Sequence, residues 1–315
     1  MREIIAKTII SPFRERSTSY KRFTYNPYRG CQHACIYCDS RSLCYGIDDF
    51  EDVAYKSNAV ELLETEMKRK RKKGIIYTGS MSDPYLPAEE ELEITKRSLE
   101  VIRDCGFGVQ ITTKSDLIVR DLDLLKDISE RYCSVVFTLT TTDEMLANKI
   151  EAAAPSPSRR IAAIQALVDG GIHVGIAMTP ILPFIEDDED NLSAILTTAK
   201  DAGASFVYAS TGMTLRDRQR EYYYKKLDQY FPGLTEIYRK TYGDMYSCSS
   251  PKSRELKNFI KTKANLLGIR LLSFGEPIVC PDLDSNERYF SIRSLSKKLV
   301  NRCKLYTTKI LFSAN

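Results

Sequence analysis

Short runs of strand-forming residues recur along most of this sequence, with amphipathic stretches between them. The runs are Gly74–Thr78, Gly108–Thr113, 134–140, 173–179 and 205–209. They begin roughly 25–40 residues apart, the length of a strand, a crossover helix and two turns. Each is almost continuously apolar, which suits parallel strands covered on both faces. The stretches between them carry helical periodicity: Leu92, Thr95, Leu99 and Ile102 share one stripe, and Ile161, Ile164 and Val168 another. Pro157-Ser158 opens one helix and Gly170-Gly171 closes it, while Gly74, Gly106 and Gly203 stand between a helix and the next strand. With an earlier extended stretch over 21–28, the pattern predicts six βα units in series, closed as a parallel barrel or open as an α/β sheet. In either, the working site gathers at the C-terminal ends of the strands.

Composition narrows the class. With 28% charged and 43% hydrophobic residues, the 315-residue chain is neither disordered nor fibrous. The excess of 46 Lys and Arg over 42 Asp and Glu is too mild to name a partner. No apolar run approaches the ~18 residues of a spanning helix, and the charged start Met1-Arg2-Glu3 does not resemble a secretory signal. A cytoplasmic location without a membrane partner is the expectation, and there the nine cysteines stay thiols or metal ligands. Only His33 and His173 are present, so a histidine-based site is poorly supplied. Beyond about residue 231 the alternation fades into two or three helices, a loop with Pro277 and Pro281, and a basic tail over 291–309. The expected division is an N-terminal extension (1–20), the αβ repeat (21–230) and a small, mainly helical C-terminal appendage (231–315).

The densest chemical signal is Cys31-Gln32-His33-Ala34-Cys35-Ile36-Tyr37-Cys38. Three cysteines in eight residues exceed what packing on one element asks for. If Cys44 serves as a fourth ligand, the loop is a closed zinc or iron–sulfur staple in a non-enzymatic binding module. If only three thiolates bind an iron–sulfur cube, one iron stays open to a substrate or cofactor.

The spacing cysteine, three residues, cysteine, then two residues with an aromatic before the last cysteine resembles the radical S-adenosylmethionine (SAM) enzymes. The strings Tyr25-Asn26-Pro27-Tyr28-Arg29-Gly30-Cys31 and Thr78-Gly79-Ser80-Met81-Ser82-Asp83-Pro84-Tyr85 resemble its spore-photoproduct-lyase-related branch. The resemblance spans roughly residues 20–230. It implies a partial (β/α)6 TIM-type barrel with an N-terminal cluster loop, and a [4Fe-4S] cluster held by Cys31, Cys35 and Cys38. SAM would be cleaved reductively to a 5′-deoxyadenosyl radical that abstracts hydrogen from a substrate. A low-potential electron donor such as a flavodoxin or ferredoxin is implied, with a nucleic acid or a peptide as substrate. Residue by residue it places Tyr37 beside the adenine, Gly79 and Ser80 at the SAM amino group, and Lys114 at its carboxylate. Thr140 is expected at the ribose or amino-acid part and Arg159 at the same carboxylate. Two departures stand out: no Glu follows strand two, and Met81 and Ser82 occupy the region where the lyases carry a hydrogen-donating cysteine. Repair of a thymine photoproduct is therefore the less favoured activity.

Other features read as structural. His33 is expected to face solvent and His173 to be a strand residue. The run 68–73 suits a helix C-terminus and 187–190 a helix N-terminus. Interleaved Arg and Tyr over 216–224 fit a salt-bridged helix with an aromatic inner face better than a nucleic-acid grip. Cys44 decides between the two metal readings: Cys44→Ala is expected to leave iron content after anaerobic reconstitution unchanged, whereas loss of the metal supports the four-ligand staple.

Overall fold

The computed structural model describes residues 1–13, 21–47, 49–50 and 52–273. The basic tail, the loop with Pro277 and Pro281, Cys280 and Cys303 lie outside them. The chain begins with β1 (Arg2–Ile4), β2 (Ile10–Pro12), β3 (Lys21–Tyr25) and β4 (Tyr28–Arg29). A loop carrying the clustered cysteines runs to β5 (Ala54–Lys56). The repeat follows: α1 (Ala59–Lys68) to β6 (Gly74–Thr78), then α2 (Glu89–Leu92) and α3 (Ile94–Asp104) to β7 (Gly108–Thr113). Next α4 (Leu122–Ser129) leads to β8 (Cys133–Thr138), and α5 (Glu144–Ile150) with α6 (Pro157–Asp169) to β9 (His173–Met178). α7 (Glu189–Asp201) leads to β10 (Phe206–Ala209). The chain continues as β11 (Gly212–Thr214), α8 (Asp217–Tyr230), α9 (Leu234–Tyr242), β12 (Ser247–Ser249), α10 (Ser253–Leu267) and β13 (Arg270–Leu271).

The main sheet has the order β13-β10-β9-β8-β7-β6-β3-β2 and is parallel except for β2 at one edge. The expected six βα units are present as β3 and β6 to β10, in an open rather than closed arrangement. β8 shows why such strands need cover on both faces: all six of its residues are buried. Leu99 and Ile102 of α3, Leu125 and Ile128 of α4, Ile164 and Leu167 of α6, and Leu192 and Ile195 of α7 share one core with Val109, Val135 and Val174. Each fully buried aliphatic side chain contributes roughly 1.5–3 kcal/mol. Among the described residues, no helix is long and apolar enough to cross a membrane.

The segments on either side of the repeat join its sheets. The N-terminal stretch pairs with the repeat, β2 along β3 and β1 along β5. The C-terminal region adds β13 beside β10 as a seventh parallel strand, and α10 buries Leu256, Ile260 and Ala264 in the same core as α7. The expected strand over 21–28 breaks at Asn26-Pro27, after which β4 joins a separate small sheet with β5. The arginine–tyrosine stretch is a helix, α8, with Tyr223 and Tyr224 buried against Tyr238 and Tyr242 of α9.

Gly175 of β9 sits opposite Phe206 of β10, and a Cβ there would lie 2.2 Å from the Phe206 ring. That ring is pinned among Val136, Ala177 and Leu272. Gly175→Ala is expected to destabilise the fold by about 1–3 kcal/mol through overpacking, read as a lower urea midpoint. An unchanged midpoint would mean that the ring swings aside freely.

Candidate active site

The cysteine loop folds across the C-terminal ends of the strands because hydrogen bonds hold it on both flanks. Ile36 N donates to Ile150 O (2.9 Å) and Ala153 N to His33 O (3.2 Å), tying the loop to the turn after α5. Ala88 N donates to Gln32 Oε1 (3.0 Å), and Ser40 Oγ to Met81 O (2.9 Å), tying it to the segment after β6. Gly30 turns into the loop at φ +83, where a Cβ would lie 2.7 Å from Phe50 O.

These anchors aim Cys31, Cys35 and Cys38 into one cavity of about 440 Å³, a size common to small-molecule sites. Burial pushes the Cys31 and Cys35 thiols up to about 12 and raises Cys38 as well. Without a cation they stay protonated; binding iron would release those protons. No three His, Cys, Asp or Glu side chains among the described residues close on a single metal ion. A tetrahedral zinc asks for such convergence, whereas the thiolates of a cube each take a different iron. Cys44 is exposed and does not line the cavity. Three thiols around a cavity with room beside them fit a [4Fe-4S] cluster with one open corner.

Two buried carboxylates organise the walls. Asp83 accepts from Thr113 Oγ1 (2.6 Å), Lys114 N (2.7 Å) and Tyr85 N (2.9 Å), and faces His33 Nδ1 at 3.3 Å. Burial alone would raise its pKa; His33, Thr113 and the Lys114 amide outweigh that and lower it to about 2. Asp83 thus joins the cysteine loop to the end of β7. Glu151, 1% exposed, meets Arg160 Nη1 at 2.6 Å and Lys114 Nζ at 3.7 Å, and accepts the Tyr37 hydroxyl. Burial alone would raise Glu151 too, but Arg160 and Lys114 hold it below the usual carboxylate range. For Lys114 the neighbouring Cys35 sulfur and Glu151 overcome desolvation and raise its pKa. Two cations against one carboxylate leave an excess positive charge beside Cys35, suited to an anionic group on that wall.

Tyr37, Gly79, Ser80 and Lys114 line the cavity with the cysteines. Gly79 has φ +95, and a Cβ there would lie 1.9 Å from Thr112 O, so only glycine lets β6 leave the sheet this way. Two expected residues do not reach it. β8 ends at Thr138, which lines the cavity, whereas Thr140 is buried outside it beside Glu186. Arg159 lies on the surface, 64% exposed, paired with Asp116 at 2.8 Å. Its neighbour Arg160 faces inward because the buried stripe of α6 runs through Arg160, Ala163, Ile164 and Leu167. His33 also departs from expectation: it is 2% exposed, turned from solvent onto Asp83. Sequence reasoning missed Glu151 altogether. The phase of the α6 stripe was the available signal for Arg160.

A family model of the Radical SAM superfamily matches residues 25–195, more than half of the chain. The chain belongs to this superfamily, enzymes of radical chemistry that use a [4Fe-4S] cluster and SAM. It is 29% identical over 248 residues to an uncharacterized protein of Mycobacterium tuberculosis, covering 76% of this chain and 73% of the relative. An uncharacterized protein of Methanocaldococcus jannaschii is 35% identical over 190 residues, 59% of this chain and 71% of the relative. In fold the chain is similar to a variant of spore photoproduct lyase, with a TM-score of 0.63 and 15% identity over 86% of this chain and 81% of the other.

Arg160→Met is expected to destabilise the protein by about 3–5 kcal/mol, since it strips the buried Glu151 of its closest cation. Arg159→Ala is expected to change stability by no more than ~0.5 kcal/mol. Denaturant unfolding of the two variants checks this; equal losses would contradict their opposite placement.

Proposed function

We propose that Cys31, Cys35 and Cys38 hold a [4Fe-4S] cluster and that this cavity orients SAM against it for an attack on a substrate entering at the barrel mouth. The bound cofactors supply a one-electron cleavage of SAM and a 5′-deoxyadenosyl radical that abstracts hydrogen from the substrate. The observation that carries the reading is the meeting of three loop thiols with Lys114, Gly79 and Ser80 in one cavity. Lys114, held charged beside Cys35, faces the SAM carboxylate. Gly79 gives the backbone close approach and Ser80 a hydroxyl for the amino group. The Tyr37 ring lies beside the adenine, with its hydroxyl locked on Glu151. Arg160 holds that lock from behind instead of touching ligand. The electron comes from a low-potential carrier of the flavodoxin or ferredoxin kind.

Asp39, Tyr45, Met81 and Thr214 also line the cavity and meet the substrate, a nucleic acid or a peptide. Among the described residues, the three ligands supply the only thiols in the cavity lining. With Met81 and Ser82 where the lyases' donor is expected, this supports a reaction that ends differently from photoproduct repair.

The test is anaerobic reconstitution with iron and sulfide, then dithionite and SAM. A brown protein that releases 5′-deoxyadenosine is expected; a folded, clustered protein that releases none would defeat the reading. Lys114→Met is expected to weaken SAM binding roughly tenfold to a hundredfold, the worth of one charged hydrogen bond, measured by titrating SAM against the reconstituted enzyme before any reductant is added.

A further inference from the structure

The first turn of α8 grips the cysteine loop on both sides of Cys38. On one side, Gln219 Nε2 donates to the carbonyl of Tyr37 at 3.2 Å, while Gln219 Oε1 accepts from Arg216 N at 3.2 Å. Gln219 is fully buried, so neither bond is lent to water. On the other side, Arg216 forms a two-pronged ion pair with Asp39, with Nε at 2.8 Å from Oδ1 and Nη2 on Oδ2. Arg216 Nε also reaches Ser42 Oγ at 3.0 Å, and Leu43 N donates to Asp217 Oδ1 at 3.0 Å. The residues before and after Cys38 are thus both fixed from one helix end, far away in sequence.

Asp39 carries more than this clamp. Its carboxylate also accepts from Thr214 Oγ1 of β11 and from Tyr45 (2.7 Å), two side chains that line the cavity. The bidentate geometry needs a guanidinium, since an ammonium offers the charge without the fork.

We infer that Arg216 and Gln219 are positioning residues for the third cluster ligand, acting through Asp39 and the Tyr37 carbonyl. The inference rests on the cluster assignment proposed above. The same knot joins the ligand to Thr214 and Tyr45, so a substrate pressing on these two cavity side chains bears on the loop that holds Cys38. Neither residue reaches the reacting atoms; each sets where the Cys38 sulfur stands.

The experiment uses the reconstituted holoenzyme without SAM. Arg216→Gln and Gln219→Met are compared with the unaltered protein by thermal unfolding, by the electron paramagnetic resonance spectrum of the dithionite-reduced cluster, and by the rate of iron loss to a chelator. Expected are folded proteins with a changed spectrum and iron loss faster by about tenfold to a hundredfold, the usual cost of removing a residue that orients a metal ligand. Arg216→Lys is expected to recover only part of this. Spectra and rates equal to those of the unaltered protein would overturn the inference. So would unfolding of both variants, because the hold on Cys38 would then be inseparable from general stability. An unaltered protein that takes up no iron would defeat the cluster assignment itself, which is a different failure.

Discussion

Everything in this structure turns on holding three sulfurs around a cavity without closing it. A short irregular loop cannot do this alone: it has few apolar contacts of its own and many backbone groups to satisfy. Here the loop is borrowed by its surroundings. The turn after α5 takes the backbone at His33 and Ile36, the segment after β6 takes Gln32 and Ser40, and α8 takes Tyr37 and Asp39. The parallel sheet matters because it sets the ends of its strands beneath that loop, with Thr112, Thr113 and Lys114 at the end of β7 and Thr138 at the end of β8 on the same wall.

Charge is handled by the same economy of elements. Glu151 is tolerable in the interior only because Arg160, Lys114 and the Tyr37 hydroxyl all meet it. Asp83 is tolerable because it is saturated by His33, Thr113 and backbone amides. Each carboxylate bridges the cysteine loop or its aromatic to a strand end. Polar networks of this kind define one arrangement, since a shift of any member leaves a buried partner unsatisfied. The tyrosine layer of α8 and α9 completes the support with apolar contact under Cys35, Ile36 and Tyr37.

Legibility followed range. The repeating strands were evident because parallel strands covered on both faces are nearly all apolar, and β6 and β7 fall where the pattern set them. The flanking segments were less so: β13 is two residues long, and its place beside β10 depends on where α10 packs. In the site, Lys114 and Gly79 could be found from their position after strands. Arg159, expected at the SAM carboxylate, faces solvent while its neighbour Arg160 turns inward, because successive residues differ by about 100° around a helix. Glu151 sits in an unpatterned turn between helices, where nothing local distinguishes a buried carboxylate from a solvated one.

The amino-acid string alone determined the cysteine trio and the alternating architecture, since both are written in local spacing: three cysteines in one loop, apolar runs a helix apart. Only the tertiary structure decided which polar groups serve that loop. His33 with Asp83 and Asp39 with Arg216 come from segments 50 and 177 residues apart, and Glu151 meets Arg160 on the buried stripe of the next helix. Such pairings depend on how strand ends and helix phases come together in three dimensions, and a polar side chain costs too much to bury for any of them to form before that arrangement exists.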